Sequence, residues 1–314
     1  MSAAFVFPGQ GAQSVGMLSS LAQRPEAAAL LRTADEVLGK PLSKMIAEGP
    51  AEELALTVNT QPAMLLAGLV CLGAWRSQGG FEPQYVAGHS LGEYTALVAA
   101  GVIDPGPALE LVALRAQAMQ DAVPVGVGAM AAILGLTDEQ VAQACEQARR
   151  TPEGQLEVVA PANLNAPSQV VIAGHRAAVE RACAAAKALG ARRAVLLPVS
   201  APFHSSLLEP AGLRLRQALA DLVLRRPRIP LVNNIDVAEE SEPERIKDAL
   251  VRQSYGPVRW VELVQALCAR GVDHFIEFGP GKVLSGLVKR IAPDARVDAI
   301  YDAASLEQTL ESSR

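Results

Sequence analysis

A chain of 314 residues, half of them hydrophobic, carries enough apolar side chain for one large core or two smaller ones, which excludes a disordered protein. Its formal net charge of -5 excludes a general nucleic-acid binder, whose surface would show a basic surplus. Four cysteines, Cys71, Cys145, Cys183 and Cys268, stand far apart without a C-x-x-C pair, so they read as buried thiols in a reducing cytoplasm and not as metal ligands or a disulfide framework.

In chain order, Ala3 to Phe7 reads as a short buried strand, and Pro8-Gly9 breaks the apolar run too early for a secretory signal. The turn Gly9-Gln10-Gly11 starts like a dinucleotide fingerprint, but Ser14 stands where the third glycine would be needed. Met17 to about Gly49 is mainly helical, Glu52 to Val58 adds a short helix, and Gln61-Pro62 leads into the apolar run Ala63 to Trp75. That run is too short to span a bilayer comfortably, so it reads as a core helix and no membrane association is expected. Tyr85-Val86-Ala87 is a strand, and the helix after it is stopped by Gly101. A further helix from about Gly106 to Gln120 turns Leu109, Val112, Ala113 and Ala116 to the core. Arg115 lies near that face, where spacing alone reads it as a surface or packing arginine.

After Gly126-Val127-Gly128 the order becomes strand (Ala129 to Leu134), helix (Asp138 to Arg149), strand (near Val158 to Ala160), strand (Gln169 to Ala173), helix (Arg176 to Leu189), strand (Arg193 to Leu197). This β-α-β-β-α-β order is that of a split ferredoxin-like unit of about 70 residues. Beyond Pro198, a loop with Pro202-Phe203-His204 precedes a helix near Ala211 to Leu224. Leu231 to Asn234 reads as a strand, Pro243 to Gln253 and Trp260 to Arg270 as helices, and His274 to Phe278 as a buried strand ending at Gly279-Pro280-Gly281. The alternation of strands and helices predicts a mainly parallel sheet covered on both faces.

Between the Tyr85 strand and its helix lies Gly88-His89-Ser90-Leu91-Gly92, a G-x-S-x-G turn that projects a serine hydroxyl. Ser90 is the candidate nucleophile, and it needs a base. Of four histidines, His89 leaves the elbow on the other side, His175 belongs to the small unit and His274 starts a buried strand. His204 is the candidate base. The Leu91 N–H supplies one oxyanion donor by elbow geometry, and the Gln10 loop is a candidate for the second. Together these residues describe acyl transfer through a serine ester. A serine hydrolase or thioesterase would share the elbow and base, and a non-catalytic component would share the fold without turnover.

Phe7-Pro8-Gly9-Gln10-Gly11, Gly88-His89-Ser90-Leu91-Gly92-Glu93, Pro202-Phe203-His204 and Glu277-Phe278-Gly279-Pro280-Gly281, in this order and spacing, resemble the malonyl-CoA:acyl-carrier-protein transacylase family over essentially the whole chain. The resemblance implies an α/β fold: an α/β-hydrolase-like large domain with a mainly parallel sheet (residues 1–125 and 198–314) and an inserted ferredoxin-like small domain (residues 126–197). It implies malonyl transfer from malonyl-CoA to the phosphopantetheine thiol of acyl carrier protein through Ser90, for fatty-acid or polyketide chain extension. His204 would be acid and base, and Gln10 and Leu91 would form the oxyanion hole. Arg115 would hold the malonate carboxylate, and the backbone carbonyl of Gln253 would orient the histidine, although spacing alone allows Gln253 a surface role. Phe203 fits the malonyl-selective pattern. Asn163 or Asn165 would lie near the cleft. No metal or redox cofactor and no nucleic acid is expected, and the protein is expected to act as a cytoplasmic monomer. Lys187, Arg192, Arg193, Lys282, Lys289 and Arg290 are candidates for attracting an acidic carrier.

Overall fold

The computed structural model describes residues 2–313. The chain begins with β1 (Ala3–Phe7), then α1 (Pro25–Leu38), α2 (Leu42–Glu48), α3 (Ala51–Leu54) and the long α4 (Thr57–Ser77). Next come β2 (Tyr85–Gly88), α5 (Gly92–Ala99) and α6 (Pro105–Asp121). The segment β3 (Gly128–Leu134), α7 (Asp138–Ala148), β4 (Val159–Ala166), β5 (Gln169–His175), α8 (Arg176–Ala188) and β6 (Arg193–Leu196) follows. The chain closes with α9 (Glu209–Ala220), α10 (Pro243–Tyr255), α11 (Trp260–Ala269), β7 (His274–Phe278), α12 (Val283–Ile291), β8 (Arg296–Ile300) and α13 (Ala303–Ser312).

One sheet has the order β2-β1-β7-β8, with every pair parallel. β1 lies inside it and all five of its residues are buried, which is why it reads as an unbroken apolar run. Its side chains alternate between two cores: Phe5 and Phe7 pack with α4 residues such as Trp75 and with Phe278, whereas Ala4 and Val6 pack with Trp260 and Leu263 of α11 and Leu284 of α12. Both faces are therefore covered, as the alternation predicts.

The second sheet has the order β4-β5-β3-β6 and is antiparallel throughout. This is the ferredoxin-like arrangement that the β-α-β-β-α-β order predicts. On one face, Ala131, Ile133, Val170 and Ile172 pack with Val141 of α7 and Val179 of α8. On the other, Met130, Val171 and Ala173 share a core with Met119 of α6 and with Phe203. That second face roofs the end of the parallel sheet.

Four expectations change. The helix expected from Ala63 begins at Thr57 and contains Pro62. Proline has no N–H to bond the Val58 carbonyl one turn back, and Lys40 Nζ takes that carbonyl instead, at 3.3 Å. The helix expected over Glu52 to Val58 is accordingly α3 plus the start of α4. Leu231 to Asn234 forms only isolated bridges, Leu231 to Val86 and Val232 to Glu239, because Asn233 Oδ1 accepts the Asp236 N–H and turns the chain. β4 runs on to Ala166, carrying Asn163 and Asn165 toward the other sheet. α12, β8 and α13 were not anticipated from the sequence.

Candidate active site

The elbow is a matter of fit. A Cβ on Gly88 would lie 1.9 Å from the Gly92 carbonyl carbon, and one on Gly92 would lie 1.9 Å from the Phe7 carbonyl oxygen. Only glycines allow β2 to turn into α5 against β1. Ser90, between them, has φ 54°, in the left-handed region.

Ser90 Oγ lies 2.7 Å from His204 Nε2. His204 follows β6, and its Nδ1 lies 2.9 Å from the Gln253 carbonyl and 3.1 Å from that of Gly256. Carbonyls only accept, so Nδ1 carries the proton and Nε2 is left to accept from Ser90. Burial, with the nearby Arg115 cation, pulls the His204 pKa down to about 3, so the ring is neutral near pH 7. The other histidines have separate partners: His89 Nε2 meets Asn165 Oδ1 at 2.8 Å, His175 Nδ1 accepts the Val158 N–H at 2.9 Å, and His274 Nε2 meets Asp298 at 2.8 Å.

Arg115 is 2% exposed, which corrects its reading as a surface arginine. It donates to Gln61 Oε1 at 2.5 Å, Ser90 Oγ at 3.2 Å and Gln253 Oε1 at 3.0 Å, all neutral groups, and its Nε has no partner among the described residues. Its guanidinium carbon lies 5.3 Å from the Tyr94 ring centre. A buried cation whose hydrogen bonds go only to neutral groups, beside the Ser90 hydroxyl, is suited chemically to meeting an anion.

Gln253 is fully buried, which corrects its surface reading; helical spacing does not reveal what α10 packs against. Its Nε2 donates to the Ser90 carbonyl at 2.9 Å. Among the described residues, no protein acceptor takes the N–H of Leu91 or of Gln10, and the Gln10 side chain accepts from Thr57 Oγ1 at 3.0 Å. A cavity of about 260 Å³ is lined by Gln10, Gln61, Ser90, Leu91, Arg115, Met130, Phe203 and His204, and by both Asn163 and Asn165. A second cavity of about 740 Å³ shares Gln10, Gly11, Leu197, Val199 and Phe203 with it. The six basic residues Lys187, Arg192, Arg193, Lys282, Lys289 and Arg290 are exposed. Three have partners within the chain: Lys282 lies over Tyr301, Lys289 bonds the Ala295 carbonyl and Arg290 bonds the Pro167 carbonyl.

Sequence reasoning missed Gln61, Glu93 and Asn234. Gln61 was hidden by the misplaced start of α4. A glutamate directly after the elbow, in an otherwise apolar helix, was the available signal for Glu93. Asn234 carried none, because its partners lie more than a hundred residues away.

A serine presented on a strand-to-helix elbow, a histidine held by a backbone carbonyl and a buried arginine beside them fit the site of an acyltransferase. The acyl transferase domain family matches residues 4–304, so the chain belongs to that family. Within it the chain is an acyltransferase of the malonyl-CoA:acyl-carrier-protein transacylase family. It is 51% identical over 309 residues to the malonyl CoA-acyl carrier protein transacylase of Escherichia coli (strain K12), covering 98% of each chain. It is also similar to the acyl-carrier-protein S-malonyltransferase of Burkholderia pseudomallei 1710b, with TM-score 0.96, 57% identity, and coverage of 99% of this chain and 100% of that one. A malonyl-transacylase solved in complex with a type II polyketide acyl-carrier protein matches with TM-score 0.96 and 47% identity, over 99% of this chain and 100% of that one.

Proposed function

We propose that the protein moves malonyl from malonyl-CoA to the phosphopantetheine thiol of acyl carrier protein in two half-reactions that share Ser90, supplying fatty-acid or polyketide chain extension. The observation that carries this reading is the meeting at Ser90 Oγ of a neutral base, His204, and a buried unpaired cation, Arg115. Ser90 gives its proton to His204 Nε2 as Oγ attacks the thioester carbonyl. The oxyanion is held by the N–H groups of Leu91 and Gln10, and collapse expels the coenzyme A thiolate, which takes the proton from His204. In the second half the carrier thiol gives its proton to His204 and attacks the serine ester, and Ser90 leaves with that proton.

The malonate carboxylate pairs with Arg115, displacing the Ser90 Oγ contact; burial does most to depress His204, and this pairing neutralises the Arg115 charge that adds to it. A carboxylated acyl group therefore strengthens the base that takes the proton from Ser90. Phe203 and Met130 bound the acyl space, with Asn163 and Asn165 at its edge, and the larger adjoining cavity receives the pantetheine arm. The steps as written use no metal or redox cofactor, and the protein is proposed to act as a cytoplasmic monomer.

The test is transfer from malonyl-, acetyl- and methylmalonyl-CoA to holo-carrier protein by wild type and Arg115→Ala. Loss of a buried charge-assisted pair should lower malonyl transfer roughly 100-fold or more and acetyl transfer far less. Equal losses for malonyl and acetyl would remove Arg115 from carboxylate recognition, and free malonate released without carrier would indicate a hydrolase.

A further inference from the structure

We propose that Asn234 and Glu93 are positioning residues that hold the Ser90 elbow and lock it to Gln253, a role that rests on Ser90 being the acylated group. An L-residue keeps φ 54° only where its surroundings fix it there. The buried Asn234 carboxamide spans the elbow: Oδ1 accepts the Ser90 N–H at 2.7 Å and Nδ2 donates to the Gly88 carbonyl at 2.6 Å. An amide offers an acceptor and a donor side by side, whereas an aspartate would set an oxygen against the Gly88 carbonyl.

The Asn234 N–H donates to Glu93 Oε2 at 3.0 Å, and the same oxygen accepts from Gln253 Nε2 at 3.1 Å. Gln253 touches three parts of the site, the Ser90 carbonyl, Arg115 and, through its own carbonyl, His204. Glu93 thus fixes one side chain that bears on nucleophile, cation and base together. The groups facing Glu93 are Arg115 from α6, Tyr94 on its own helix, and Asp236 beyond Asn234, which pairs with Arg252 of α10. Burial raises the Glu93 pKa to about 7, against the Gln253 and Asn234 hydrogen bonds and Arg115, which lower it. A proton on Glu93 weakens its acceptance from Gln253 and Asn234. While Arg115 is unpaired His204 titrates far lower, so in the free enzyme an ionisation near neutrality falls to Glu93.

The experiment measures single-turnover malonylation of Ser90 by intact mass, and Ser90 labelling by a fluorophosphonate, from pH 5.5 to 9 in the full-length protein. Wild type, Glu93→Gln and Asn234→Asp are compared, with Tm recorded for each. Wild-type malonylation should fall about tenfold from pH 8 to pH 6, as for one ionisation near 7. Glu93→Gln, which mimics the protonated acid, should stay near the slow rate at both pH values while keeping a wild-type or higher Tm at pH 8. Asn234→Asp should slow both reactions roughly 100-fold, as misplacing a nucleophile does. A folded Glu93→Gln with the wild-type rate and pH limb overturns the proposal, as does a folded Asn234→Asp with wild-type labelling. If Asn234→Asp does not fold, Glu93→Gln decides. Wild type that labels with fluorophosphonate but never malonylates would fail the transacylase reading instead, leaving the elbow to be judged on labelling rates.

Discussion

Ser90 and His204 both sit at positive φ, 54° and 60°, where a non-glycine residue carries on the order of 1–3 kcal/mol of strain. Two buried ionisable groups of the site, His204 itself and Glu93, pull stability in opposite directions with pH. His204 is depressed from 6.5 to about 3, so the unfolded chain binds the extra proton between those values; its stabilisation is full above pH 6.5 and is lost as pH falls toward 3. Glu93 is raised from 4.5 to about 7, so the folded chain binds the extra proton; its contribution is full below pH 4.5 and is lost as pH rises through 7. Between pH 5 and 6.5 the two slopes oppose each other at roughly 1 kcal/mol per pH unit each. Urea unfolding across that window should show Glu93→Gln gaining stability with rising pH relative to wild type, and His204→Ala losing it. Parallel profiles for all three proteins would contradict the assignment. The elbow could be read in the sequence because a turn's glycines and serine are neighbours. The burial of Arg115 and Gln253 could not, because helical spacing shows a face but not what meets it.

At the scale of elements, α4 shows how a local rule is overridden by a distant side chain. Pro62 argues for a helix start at Ala63, yet the helix begins at Thr57 because Lys40, at the end of α1, bonds both the orphaned Val58 carbonyl and Asn59 Oδ1, the latter at 2.6 Å. That extra turn puts Gln61 on Arg115 and Thr57 on Gln10, so the Gln10 loop and the Arg115 cation are tied through one helix. Lys40→Met should cost about 1–2 kcal/mol in urea unfolding. In a Pro62→Ala background, where an N–H at position 62 reclaims Val58, the cost should fall by about 1 kcal/mol. The same cost in both backgrounds would break the link. The apolar periodicities of β1, β7 and the small-sheet strands were readable since burial writes them residue by residue. The Leu231 run was misread as a full strand because Asn233 ends its pairing through a side-chain turn that hydropathy does not record.

At the scale of the molecule, the site exists only where two sheets meet. Ser90 comes from the parallel sheet, His204 from the chain returning out of the antiparallel sheet, and Met130 and Val171 close the cavity from the face of that sheet turned away from α7 and α8. The order of elements foretold both sheets, but the facing of one on the other is set by Met119, Phe203 and their neighbours, contacts between distant segments. The central claim is that Ser90 carries the acyl group between donor and acceptor. Intact-mass spectrometry of wild type and Ser90→Ala after malonyl-CoA, then after holo-carrier protein, tests it most directly. The account predicts one malonyl adduct on wild type that maps to Ser90, disappears as malonyl-carrier forms, and is absent from Ser90→Ala. An adduct persisting on Ser90→Ala, or carrier malonylated at an undiminished rate by that variant, would contradict it.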